Sequence, residues 1–232
     1  MLKRILNFKA RGNRSSKKLH ISESDVLSLV KYTKRTKKIA DSALENTIIP
    51  FPNFDATSFN DEFWYVDKKE KYGASYQLYV QSLRVCAELM NEYENSEDPA
   101  YLRKAGEIIH SWMRFVDKDP SEKMVWYDHP TANRIQVIVH FLYHAKKNGM
   151  DIEESSFYDL LYRHAEVMSS DAKYNNNNHG LMMDRSLMIL GNVLDDEYLF
   201  TKGYYRAIDT FWYSYSYQGI HLENSPEYHN MV

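Results

Sequence analysis

The sequence predicts an all-α protein of stacked antiparallel helix pairs, and three observations carry that reading. From Ala74 to about residue 216, apolar residues recur at three- and four-residue spacing, the mark of a buried helical face. No segment shows the apolar–polar alternation of a half-buried strand. Starters and breakers punctuate the periodic runs, so that helices begin near residues 74, 99, 131, 153, 180 and 196. With one more near the N-terminus this makes about seven helices of 12–23 residues. Tetratricopeptide signatures are absent, which argues against a regular solenoid.

Taken in order, residues 1–20 are basic, lack apolar periodicity, and are expected to form a disordered arm. Ser22 and Asp25 suggest a helix start, and 23–45 reads as one helix of strong formers. Residues 46–73 do not read as helix, because Pro50 and Pro52 extend the chain and an aromatic, acidic patch runs from Asp61 to Tyr65. Tyr76, Val80, Leu83, Cys86, Met90 and Tyr93 then mark one face of the next helix. Asp98-Pro99 opens another, with Leu102, Ala105, Ile109, Trp112 and Val116 as its stripe. After Trp126 to Pro130 comes a helix stopped near Gly149, then one carrying Phe157, Leu161, His164 and Met168. Segments 182–193 and 196–216 complete the set.

Composition bounds the function. At 232 residues and 27.5 kDa, with 44% apolar and 26% charged residues, the chain is an ordinary globular protein with a substantial core. One cysteine, Cys86, excludes an internal disulfide and a cysteine-based zinc site; on an apolar stripe it reads as a buried, inert thiol. Residues 1–39 hold twelve Lys/Arg against two acids, within a net charge of −3. A basic arm suits a polyanion, and a solvated tail explains it equally well; no nucleic-acid partner is expected. No apolar signal region follows Met1-Leu2-Lys3-Arg4, and no stretch approaches the ~18 apolar residues of a membrane span, so a cytoplasmic location is expected.

Chemistry-bearing residues cluster at both ends of one stretch. It begins with Asn175-Asn176-Asn177-Asn178-His179-Gly180 and ends with Gly219-Ile220-His221-Leu222-Glu223-Asn224-Ser225-Pro226-Glu227-Tyr228-His229. Upstream lie Ser75-Tyr76, Ser111-Trp112 and Trp126-Tyr127-Asp128-His129-Pro130-Thr131-Ala132-Asn133-Arg134. In order and spacing, across roughly residues 60–232, these segments resemble the helical domain of the heparinase II/III-like and related alginate lyases.

That resemblance implies an incomplete (α/α) toroid over residues 21–232, with the β-sandwich domain that normally follows it expected to be absent here. It implies cleavage of an anionic, uronic-acid-containing polysaccharide by β-elimination, in a family whose members are usually periplasmic or secreted. In such chemistry a base removes the C5 proton beside a carboxylate, donors stabilise the developing charge, and a tyrosine protonates the leaving oxygen. Carried onto this sequence, Asn178 and His179 are the carboxylate-neutralising pair and Tyr228 the tyrosine acid. Arg134, His129, Trp126 and Glu223 fall on the substrate side, Arg134 as a fork for a carboxylate and Glu223 as an arginine's partner. No cofactor and no metal are expected. His140 and His144 stand i, i+4 on one helix, but no carboxylate or third histidine follows at a telling distance. His164 reads as a core histidine, and Asn178 has a structural alternative as a helix cap. Two other function classes fit the same residues. One is a non-catalytic glycan-binding or cell-surface polysaccharide assembly protein. The other is a glycoside hydrolase on a similar toroid, for which Asp128 and Glu223 would be the carboxylic acids.

Overall fold

The computed structural model describes residues 17–118 and 120–214. Among them run nine α-helices: α1 (Thr36–Leu44), α2 (Lys69–Tyr72), α3 (Ser75–Gln81), α4 (Arg84–Ser96), α5 (Pro99–Val116), α6 (Asp128–Lys147), α7 (Glu154–Met168), α8 (Asn178–Val193) and α9 (Glu197–Ser214). Two short strands, β1 (Thr47–Ile48) and β2 (Thr57–Ser58), pair antiparallel, with Thr47 opposite Ser58 and Ile48 opposite Thr57. The architecture is all-α, an incomplete (α/α) toroid.

The N-terminal part departs from the predicted helix over 23–45. Ser22 and Asp25 form a capping box, yet it closes only a 3₁₀ turn at Glu23–Asp25. Tertiary bonds fix this segment outside a helix: Asn91 Nδ2 donates to Val30 O at 2.8 Å, and Asn192 Nδ2 to Asp25 Oδ1 at 2.9 Å. These contacts outweigh helix propensity, which differs by only tenths of a kcal/mol per residue. Residues 17–20, expected within the arm, pack onto the fold instead. Leu19 is buried, its N–H reaches Glu154 Oε1 at 2.5 Å, and the N–H of His20 reaches Val193 O at 2.8 Å.

A second departure divides the helix expected over 76–93. Leu83 takes a left-handed conformation, with φ 54° and ψ 32°, and separates α3 from α4. That conformation costs a non-glycine residue roughly 1–2 kcal/mol. Burying the leucine side chain, here 1% exposed, returns a comparable amount, about 1.5–3 kcal/mol. The break also frees the Gln81 carbonyl, which a continuous helix would commit to a later N–H.

Helix α6 is the central element. Residues 130–142 are buried on every face, and α3, α4, α5, α7 and α8 all pack against it. The links from α2 through α5 and from α8 to α9 are two or three residues long, whereas residues 45–68, 117–127 and 169–177 form longer connections. Between α4 and α5 the turn is Glu97, at φ 58°, and Asp98, whose Oδ1 caps Ala100 N at 2.9 Å ahead of Pro99. Helices α8 and α9 approach closely through two glycines. A Cβ on Gly191 would meet Phe200 N at 2.5 Å, and one on Gly203 would meet Asp184 O at 2.7 Å.

Cys86 is buried, with its thiol pushed up out of the reactive range by desolvation. Tyr198, Tyr204, Tyr205, Phe211, Trp212 and Tyr213 leave α9 with an exposed aromatic surface. No helix among the described residues is long and apolar enough to cross a membrane.

Candidate functional site

Two helix N-termini meet at the site. Asn177, extended at φ −153°, caps α8: its Oδ1 accepts from His179 N at 3.0 Å and Gly180 N at 3.2 Å. The cap is thus Asn177, and Asn178 is the first helical residue. Asn178 Oδ1 shares the His179 N–H at 3.0 Å, which leaves its NH₂ as the donor for a ligand. The asparagine-rich turn folds back over the helix start, and a Cβ on Gly180 would overlap Asn175 O. Only glycine admits that approach.

The other N-terminus is that of α6. Asp128, in its first turn, accepts His129 N at 2.5 Å and faces His179 Nδ1 at 3.2 Å. The His179 and His129 rings lie 5.6 Å apart between centroids, and the exposed Tyr127 sits edge-on to His179 at 6.5 Å. Desolvation, reinforced by the neighbouring His179, lowers the pKa of His129 and favours its neutral form. His179 keeps 33% of its side chain exposed, while Asp128 keeps 11%. Among the described residues, the hydrogen bonds of the His179 ring use Nδ1 alone, leaving Nε2 for a ligand. A protonated His179 would donate on both sides, to Asp128 and outward. Both helix dipoles place their positive ends here, where an anion is favoured.

Asn178, His179 and His129 are therefore brought together. Arg134 is not among them. The sequence expectation of a substrate fork conflicts with its position, because the side chain is wholly enclosed. Its guanidinium donates to Gln81 O at 2.5 Å, Val125 O at 2.7 Å and His164 Nε2 at 2.9 Å, and stacks 4.1 Å from the Trp112 ring. The carbonyl freed by the α3–α4 break is one of these acceptors. His164, fully buried as expected, completes the node with Nδ1 2.8 Å from Leu160 O. Receiving at Nε2 and donating at Nδ1 is the neutral tautomer, consistent with desolvation pushing its pKa well down. Trp126, half-buried, lies over this node, with the Arg163 guanidinium 4.5 Å from its ring.

A polar wall stands behind α8. Tyr174 donates to Asp184 Oδ2 at 2.7 Å and also meets Thr210 Oγ1. Arg206 Nη2 is 2.8 Å from Asp184 Oδ1, but the pair is too poorly aligned to count as a hydrogen bond, so the attraction is ionic. Burial dominates, raising Asp184 to about 6. Tyr228 and Glu223 lie outside the described residues. Sequence reasoning missed Asp128 as the partner of His179, although the acid directly precedes His129 in the motif.

No protein-family model matches this chain, and neither does any curated protein sequence. Solved structures do match. A mutant of heparan sulfate lyase HepC from Pedobacter heparinus superposes with a TM-score of 0.69 and 18% identity, over 90% of this chain and 34% of that one. Another structure of the same lyase gives 0.63 and 16%, over 87% and 33%. The chain spans about a third of the length of the protein it matches, and the likeness is one of fold. Its helical architecture is similar to that part of the heparan sulfate lyase structure.

Proposed function

We propose that this chain is the helical part of a polysaccharide lyase that cleaves a uronic-acid-containing anionic polysaccharide by β-elimination. The observation that carries the reading is the meeting of Asn178 and His179 with Asp128 and His129 at two helix N-termini. A uronate carboxylate is the kind of group such a site receives. Its charge falls at the positive ends of α6 and α8, with the Asn178 NH₂ and His179 Nε2 as donors.

As the C5 proton leaves, negative charge spreads onto that carboxylate, and donors already in place lower the barrier without reorganising. Tyr228 is assigned as the acid to the leaving glycosidic oxygen. Elimination then passes the C5 proton to a base, breaks the C4–O bond and forms the C4–C5 double bond. Tyr228 gives its own phenolic proton to the leaving oxygen and is reprotonated afterwards from the base or solvent. In this reading a β-sandwich domain completes the site, and the exposed aromatics of α9 suit burial against further protein. The fold likeness to a heparan sulfate lyase supports a glycosaminoglycan as substrate.

The test is the ultraviolet absorbance of the unsaturated product after incubation with heparan sulfate, hyaluronan, alginate or polyglucuronate. Absorbance that grows with the full-length gene product and vanishes in its Tyr228→Phe variant supports elimination. New reducing ends without that absorbance would mean a hydrolase. Retention on a polysaccharide column without turnover would favour a glycan-binding protein.

A further inference from the structure

Away from this site, α4 and α6 carry a second constellation. His140 and His144, one turn apart on α6, both aim Nε2 at a single oxygen, Glu94 Oε1, at 2.8 Å each. The ligand atoms of the three residues all lie within 4.8 Å of one another. The third group missing from the sequence pattern thus comes from α4, two helices earlier in the chain. It was invisible there because Glu94 precedes the pair by 46 and 50 positions.

From this geometry we infer a binding site for a divalent transition metal, zinc above all, formed by Glu94, His140 and His144. Two imidazoles and a carboxylate are a donor set that zinc accepts, with a further position left to water. Imidazole nitrogens select against calcium and magnesium, which take oxygen ligands. Both histidines are held rigidly. His140 is 1% exposed, and His144 is wedged edge-on between Tyr93 and Tyr143, each at 5.2 Å. Glu94 is the adjustable member, 44% exposed, and it leaves one side open to solvent. Tetrahedral zinc places neighbouring N and O ligands roughly 3.3 Å apart, so Glu94 need withdraw by only about half an ångström. The bound ion would fasten α4 to α6, independently of whether the chain is a lyase.

The experiment titrates zinc chloride into the untagged, chelator-stripped full chain by calorimetry, with thermal melting in parallel. Zinc is expected to bind at one equivalent and to raise the melting temperature. Glu94→Gln keeps an acceptor oxygen for both imidazoles and so preserves the apo fold, but it removes the charge the dication needs. Its affinity should fall by at least the roughly tenfold to hundredfold that loss of a mere outer-shell partner costs, as should that of His144→Asn, whereas His20→Ala should bind as the parent does. Cobalt in place of zinc should give a visible d–d spectrum that disappears in Glu94→Gln. Absence of zinc binding, or binding of equal affinity in Glu94→Gln and His144→Asn, overturns the site.

Discussion

Asp128 Oδ1 stands 3.2 Å from His179 Nδ1, so a carboxylate anchored in the first turn of α6 orients an imidazole on α8. Such a partner selects the ring tautomer and holds its plane. Asp128→Ala should therefore redistribute the His179 tautomers, read from imidazole ¹⁵N shifts. Under the proposed elimination it should lower turnover by about tenfold to a hundredfold, as loss of outer-shell partners does at metal-bound histidines. Unchanged ¹⁵N shifts would remove Asp128 from the site.

Arg134 is wholly enclosed and spends its guanidinium on internal partners. Replacing it with methionine leaves Gln81 O and His164 Nε2 without donors in a buried region and Val125 O with only the Thr131 hydroxyl at 3.5 Å. At about 1–3 kcal/mol for each unsatisfied group, partly relieved by relaxation, the loss should be roughly 3–5 kcal/mol. The urea midpoint of Arg134→Met reports it. A variant with parental stability and only a raised KM would return Arg134 to the substrate side.

Gly180→Ala tests the turn over the start of α8. The new methyl group collides with the backbone of Asn175, which must move away and carry Asn177 and Asn178 with it. A destabilisation of about 1–3 kcal/mol is expected. Turnover should fall further than thermal melting accounts for, since the displaced residues belong to the site.

Asp184 makes stability depend on pH. Its folded pKa of about 6, set chiefly by burial, lies above an unfolded value near 3.9. The folded state therefore binds the proton more tightly, and the contribution is full below the unfolded value. It is lost as pH rises through 6, amounting to about 3 kcal/mol. Denaturant titrations of the parent and Asp184→Asn between pH 4 and 7 should show this as a difference in slope. Equal slopes would place the carboxylate's pKa in its ordinary range.

What was legible in the sequence is what depends on local pattern. Asp98-Pro99 announces α5, and the stripe through Ile109 and Trp112 gives its buried face, because capping and periodicity act within one helix. The site's α8 half was legible for the same reason, as a polar run at a helix start. Long-range partners were not. Nothing near Leu83 foretells a helix break whose use is to supply Gln81 O to Arg134. Nothing near Arg134 says that two carbonyls, a histidine and an indole face will enclose it. The lysine-rich stretch before Thr36 favours helix locally, yet Asn91 and Asn192 hold residues of this region in other conformations.

Leu19 and His20 bond to residues that the ribosome delivers much later: Glu154, 135 positions on, and Val193, at the end of α8. At ordinary rates of synthesis this segment waits on the order of ten seconds for those partners. The helix pairs between can form meanwhile from neighbouring sequence. The N-terminal strap is thus a late closure in vectorial folding, and a nascent chain halted before α8 would carry Leu19 uncovered, a hydrophobic handle for chaperones.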